Sequence, residues 1–148
     1  MWNPCKSVML SSICTKIVIA LGICFAFTAP TMVRSYVEYT AKNPEIMTPL
    51  LITIYACCVP ALVALICLDR LLANIKKEEV FIVKNVKYLR LISWCSFTVS
   101  IILALSGFYY ILFLMIAIAA AFFGLILRVV KNVIEKAMLI KNENDFTI

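Results

Sequence analysis

Of the 148 residues, 64% are apolar and 15% charged, against about 45–50% and about 25% in an ordinary soluble domain, and a fold of this length cannot bury so much apolar surface. Lipid is the expected solvent. Fourteen Lys and Arg against eight Asp and Glu leave a net charge of +6, but the basic residues stand at the ends of apolar runs, where membrane topology puts them, so direct nucleic-acid contact is not expected.

The first uncharged run, Ile17 to Val33, has 17 residues and lengthens backwards through Val8 if Lys16 sends its amine to the headgroups. No small-x-small cleavage site follows it. Thr28-Ala29-Pro30-Thr31 sets a proline where a signal peptidase would cut, so this run is expected to stay as a span. Met47 to Leu68 is the second, 22 residues without a charge. Leu91 to Leu127 then gives 37 uncharged residues, about 55 Å as one helix against a hydrocarbon core of about 30 Å. It must divide. Ser106-Gly107, followed by Phe108-Tyr109-Tyr110, offers a tight turn with aromatic anchors at the water boundary.

The expected fold is therefore an all-α integral membrane protein, a single domain over 1–148 with helices at about 10–33, 47–75, 84–105 and 108–140 and a short C-terminal tail. Twelve basic residues (Lys6, Lys16, Arg70, Lys76, Lys77, Lys84, Lys87, Arg90, Arg128, Lys131, Lys136, Lys141) fall on one side of it, and Arg34 with Lys42 on the other. That asymmetry predicts both termini and the 69–90 loop in the cytoplasm.

Small residues mark helix contacts in lipid. Ser93, Ser96, Ser100, Ala104 and Gly107 make one stripe, and Ala117, Ala120, Ala121 and Gly124 another, so helices three and four are expected as a tight hairpin, packed face to face. Gly22, Ala26 and Ala29 give helix one a shorter stripe. Pro60 removes a hydrogen bond from helix two and crowds the carbonyl of Ala56. The resulting kink could open a small cavity or be a detail of bundle packing.

The chain has no His, the commonest general base and a usual metal ligand. Seven Cys, at 5, 14, 24, 57, 58, 67 and 95, lack C-x-x-C spacing and read as small lipophilic residues. Nothing ionisable lies deep in a span, as a proton relay or coupled ion site would require. No enzyme, cofactor or metal site is expected.

The polar surface gathers in Asp69 to Phe81, where helix two continues through Ile75 with Arg70, Asn74 and Lys77 on one face. A second polar stretch follows Leu127. There Val130, Val133, Ile134 and Ala137 form an apolar stripe opposite Arg128, Asn132 and Glu135. In the tail, Glu143 and Asp145 are expected to reach Lys76, Lys77, Lys84 or Lys87.

Leu71-Leu72-x-Asn74-Ile75, then Val80-Phe81-x-x-x-Asn85-Val86-x-x-Leu89-Arg90-x-Ile92 with Trp94, and the ending Glu143-Asn144-Asp145-x-Thr147-Ile148 resemble the small bacterial four-helix membrane proteins grouped as domain of unknown function 2975. That family's usual pattern has Gly where Glu78 stands, which would allow a positive φ, and Thr or Ser where Ile82 stands, which would cap the next helix. The resemblance implies the bacterial cytoplasmic membrane. It also implies, from frequent neighbouring genes, a small cytosolic helix-turn-helix regulator as partner.

The leading reading is a non-enzymatic regulatory or interaction protein that binds or sequesters such a regulator. Asp69, Arg70, Lys76, Lys77, Glu79, Phe81, Asn85, Arg90, Asn144, Asp145 and Thr147 are its candidate contacts. The same charges would also solvate the interface and cap helices, and a homo-oligomer stays open. The alternative is a carrier, pore or immunity protein acting within the membrane, through a cavity near Pro60, Thr53 and Tyr55.

Overall fold

A computed structural model describes residues 4–40 and 43–147. Lys42 and Ile148, both used above, lie outside the described residues, as does the side chain of Cys5. Four helices follow one another: α1 (Pro4–Thr40), α2 (Met47–Lys76), α3 (Val83–Ser106) and α4 (Ile111–Phe146), with a 3-10 turn at Pro44–Ile46 between the first two. All four are long and apolar enough to cross a membrane, and a helix satisfies its own backbone groups where no water can.

The distribution of side chains supports the same conclusion. Phe27, Val59, Ile101, Met115 and Phe122 are among many large apolar residues that face outward, as lipid-facing side chains must. The interior is thin and centred on α3, which buries Val86, Leu89, Ile92, Ser93, Cys95, Leu103 and Ser106 between its neighbours.

Packing runs in chain order, α1 on α2, α2 on α3 and α3 on α4. Each neighbour is antiparallel to the last. Between α2 and α3, Thr53 meets Ser106 through their hydroxyls at 2.8 Å, and Asn74 donates to Asn85 at 2.8 Å, one pair near each end of the contact. Between α3 and α4, Ser93 donates to the carbonyl of Gly124 at 2.9 Å and Ser100 to that of Ala117 at 2.7 Å. A Cβ on Gly124 would stand 3.3 Å from the Phe97 ring and from Ser96 Cβ, so this glycine permits close approach of the two backbones. Ala104, placed in that stripe by its spacing, is exposed instead.

Between α1 and α2, Tyr55 donates to the carbonyl of Ala26 at 3.0 Å. Tyr36 and Tyr110 share a hydrogen bond of 2.8 Å that ties the end of α1 to the residue just before α4. Below that tie an apolar cleft of about 340 Å³ opens between α1, α2 and the head of α4, lined by Phe25, Val37, Leu50, Ile54 and Phe113 as well as the two tyrosines.

Two helices exceed their expected bounds. α1 runs from Pro4 to Thr40 rather than about 10–33, and beyond it Asn43 has the extended backbone (φ −55°, ψ 130°) that a following proline imposes. α4 starts at Ile111 rather than 108 and continues to Phe146. The long uncharged run divides at Ser106-Gly107, where the sequence places the turn, but Tyr109 and Tyr110 fold back on Ser106 through their N–H groups and delay the next helix.

Candidate functional site

Antiparallel packing gathers the start of α1, the end of α2, the start of α3 and the end of α4 at one end of the molecule, and this end carries the candidate contact residues. Its centre is the turn after α2. Glu79 N–H reaches the carbonyl of Asn74 at 3.1 Å and Glu78 N–H that of Ile75 at 3.0 Å, the two bonds of a Schellman cap. Such a cap puts one residue in the left-handed region. That residue is Glu78, at φ 63°, where a side chain costs about 1–2 kcal/mol relative to glycine.

Asn85 locks the turn onto α3. It is 1% exposed, and its Nδ2 donates to the carbonyls of Glu79 at 2.7 Å and Val80 at 2.9 Å, while its Oδ1 accepts from Asn74 Nδ2. These bonds occupy both ends of the amide. Asn85 therefore shapes the loop from inside, and nothing outside can touch it while the loop is closed. Asn74 is drawn inward with it, away from the face it was expected to share with Arg70 and Lys77. At the start of α3, Ile82 takes the capping position in extended conformation with no side-chain bond, as a residue without a hydroxyl must.

Around this node, Arg70, Lys76, Lys77, Glu79 and Phe81 are exposed, and Asp69 is half-buried. Arg90 stands apart from them on the α4 side, 3.9 Å from Glu135, which is also paired with Lys131 one turn earlier on α4. Arg128 lies over the Trp94 ring, 5.6 Å from its centre. Asn144, Asp145 and Thr147 are exposed, and Thr147 Oγ1 closes the end of α4 by donating to the carbonyl of Glu143 at 2.6 Å.

The loop and the tail do not come together. Among the described residues, Glu143 and Asp145 form no ion pair with Lys76, Lys77, Lys84 or Lys87. The cause is helix continuity. The pairing of Ser93 with Gly124 and Ser100 with Ala117 sets the start of α3 level with about Ile134, so residues 135–146 rise past it as uninterrupted helix, about 18 Å at 1.5 Å per residue. The tail acids are carried beyond the loop lysines instead of folding back to them.

A second cleft, of about 210 Å³, lies beside Thr53, Cys57, Cys58, Ala61, Leu103 and Phe113. Tyr55 and Pro60 do not line it. The Thr53 hydroxyl is already engaged by Ser106 and by the carbonyl of Pro49. No cluster of His, Cys, Asp and Glu among the described residues could hold a metal ion.

A family model described as a protein of unknown function (DUF2975) matches residues 31–148. The chain belongs to this family. The matched part of this DUF2975 protein holds the Asn74–Asn85 node, the whole polar loop and the rising end of α4. No curated protein and no solved structure matches the chain.

Proposed function

We propose that this DUF2975 protein is a non-enzymatic regulatory membrane protein of the bacterial cytoplasmic membrane, with both termini and the α2–α3 loop on the cytoplasmic side. It binds a cytosolic partner there, in the first instance a small helix-turn-helix regulator, and holding that regulator at the membrane competes with its binding of DNA. α3 and α4 form a tight hairpin within the bilayer.

The observation that carries the reading is the free end of α4. Residues 135–146 leave the level of α3 with Leu139, Ile140 and Phe146 exposed beside Lys136, Lys141, Glu143 and Asp145. An exposed amphipathic helix end is a common docking element. The exposed Arg70, Lys76, Lys77, Glu79 and Phe81 of the loop supply a second contact area at the same end of the molecule.

The test is co-purification of a small helix-turn-helix regulator, of the kind the family resemblance implies, with full-length and 142–148-deleted protein, both recovered from membranes. Capture by the full chain and loss on deletion are expected. Capture by neither form would overturn the reading.

The apolar cleft at the opposite end favours a second reading, a carrier or immunity protein acting on an apolar molecule. Its lining offers two phenols and neither an amine nor a carboxylate, which does not suit a bare ion.

A further inference from the structure

Arg90 and Arg128 occupy matched positions in the sequence. One immediately precedes, and the other immediately follows, the 37-residue uncharged run Leu91 to Leu127. Because α3 and α4 are antiparallel, both arginines emerge at the same boundary of the hydrocarbon, on neighbouring helices. The structure brings them to one small pocket of about 50 Å³, walled by Arg90, Ser93, Trp94, Arg128 and Lys131. That volume takes one compact group and excludes a drug-sized ligand.

The charges around it do not balance. Arg90, Arg128 and Lys131 bring three positive charges, and among the described residues the one carboxylate paired with any of them is Glu135, shared between Lys131 and Arg90. Among the described residues no carboxylate pairs with Arg128. It is held over the Trp94 ring, a contact that fixes the position of a guanidinium but leaves its N–H groups able to donate. Ser93 directs its hydroxyl to Gly124 and forms a wall only.

We infer that this pocket binds a phosphate group at the membrane surface, the headgroup of an anionic phospholipid. Two guanidiniums match the oxygens of a phosphate, and the place lies where lipid phosphates are concentrated and desolvation is partial. Glu135 opposes the anion and keeps Arg90 and Lys131 oriented around the pocket while it is empty. The site lies on the α3–α4 flank and shares Arg90 with the candidate regulator contacts, but it needs neither the turn at 76–82 nor the tail after Lys141, so its failure and that of the regulator-binding reading are separable.

The experiment is lipid retention by the full chain in a nonionic detergent, read by native mass spectrometry together with the thermal shift. Phosphatidylglycerol, phosphatidylcholine, glycerol phosphate and inorganic phosphate are added separately. Retention of phosphatidylglycerol over phosphatidylcholine is expected, falling about tenfold in Arg128→Gln and in Arg90→Gln but unchanged in Lys141→Gln, which removes the same charge elsewhere. Glu135→Gln keeps both arginines and is expected to tighten retention roughly threefold, a modest surface-charge effect. This variant serves as the check if either arginine variant fails to fold.

Saturable stabilisation by glycerol phosphate or inorganic phosphate, lost in the same variants, would support the phosphate site while assigning it to a free anion as well as a lipid. Equal retention of the two lipids with no response to the free phosphates would overturn the inference, as would equal losses in Arg128→Gln and Lys141→Gln.

Discussion

The Tyr55 hydroxyl donates, at 3.0 Å, to the carbonyl of Ala26, and that carbonyl is the one Pro30 leaves without a helical N–H, four residues on in α1. A proline in the middle of a membrane helix exposes one acceptor in a solvent that offers no donor. Here α2 supplies the donor, so the break in one helix is satisfied by a side chain of the next.

Replacing Tyr55 by Phe should therefore lower the thermal stability of the protein in detergent. The loss should be of the size measured for interhelical hydrogen bonds in membranes, about 0.6 kcal/mol on average and up to about 1.7 kcal/mol. Pro30→Ala restores the missing N–H, so in that background Tyr55→Phe should cost almost nothing. The double-mutant cycle isolates the pair, and equal losses in the two backgrounds would separate Tyr55 from the proline.

At the α3–α4 contact, Gly124 has Phe97 and Ser96 at 3.3 Å from where a Cβ would stand. Gly124→Leu should cost about 1–3 kcal/mol through overpacking. Leu125→Ile, on an exposed position one residue further on, should leave the melting temperature within a degree or two, since lipid adapts to either side chain. Comparable tolerance at the two positions would mean that the helices can separate without loss.

The left-handed Glu78 and the buried Asn85 give opposite expectations within one turn. Glu78→Gly should stabilise by about 0.5–1 kcal/mol, the relief of a strained φ less the added freedom of the unfolded chain. Asn85→Ala strands the carbonyls of Glu79 and Val80 and the amide of Asn74, and should cost about 1–3 kcal/mol. Thermal melts of both variants decide it, and a destabilising Glu78→Gly would show that the carboxylate contributes more than its backbone strain removes.

Orientation is checked by labelling. In a cysteine-free background, Asn43→Cys should react with an impermeant thiol reagent in intact cells, and Asn142→Cys only after lysis. The reverse pattern would move the loop and the free end of α4 to the outer face and end the case for a cytosolic partner.

The spans were legible because lipid selects composition directly. A charge-free run long enough to cross is visible without any knowledge of neighbours, and Ser106-Gly107 marks where the longest one had to divide. The pairs Thr53–Ser106 and Asn74–Asn85 were not legible. Each joins residues on different helices, and which hydroxyl or amide meets which depends on register and rotation, neither of which composition records. The spacing of Asn74 from Arg70 and Lys77 places it on a polar face, whereas the structure turns it toward α3. The reach of the tail likewise depends on something composition does not record, the continuity of α4. Asn142 to Phe146 is polar enough to end a helix in isolation, but it follows an unbroken helix of some thirty residues that propagates into it at little cost.

Packing each helix on the one before it also has a consequence in time. A ribosome delivers α1 first, and every later helix finds a packing partner already inserted when it arrives, so each unfilled face waits for no more than the next helix. The acceptor opened by Pro30 is met by the next helix, the hydroxyl of Thr53 by the third, and the serines of α3 by the fourth. Assembly can thus proceed by addition at one edge, with contacts short in sequence and little opportunity for mispairing during synthesis.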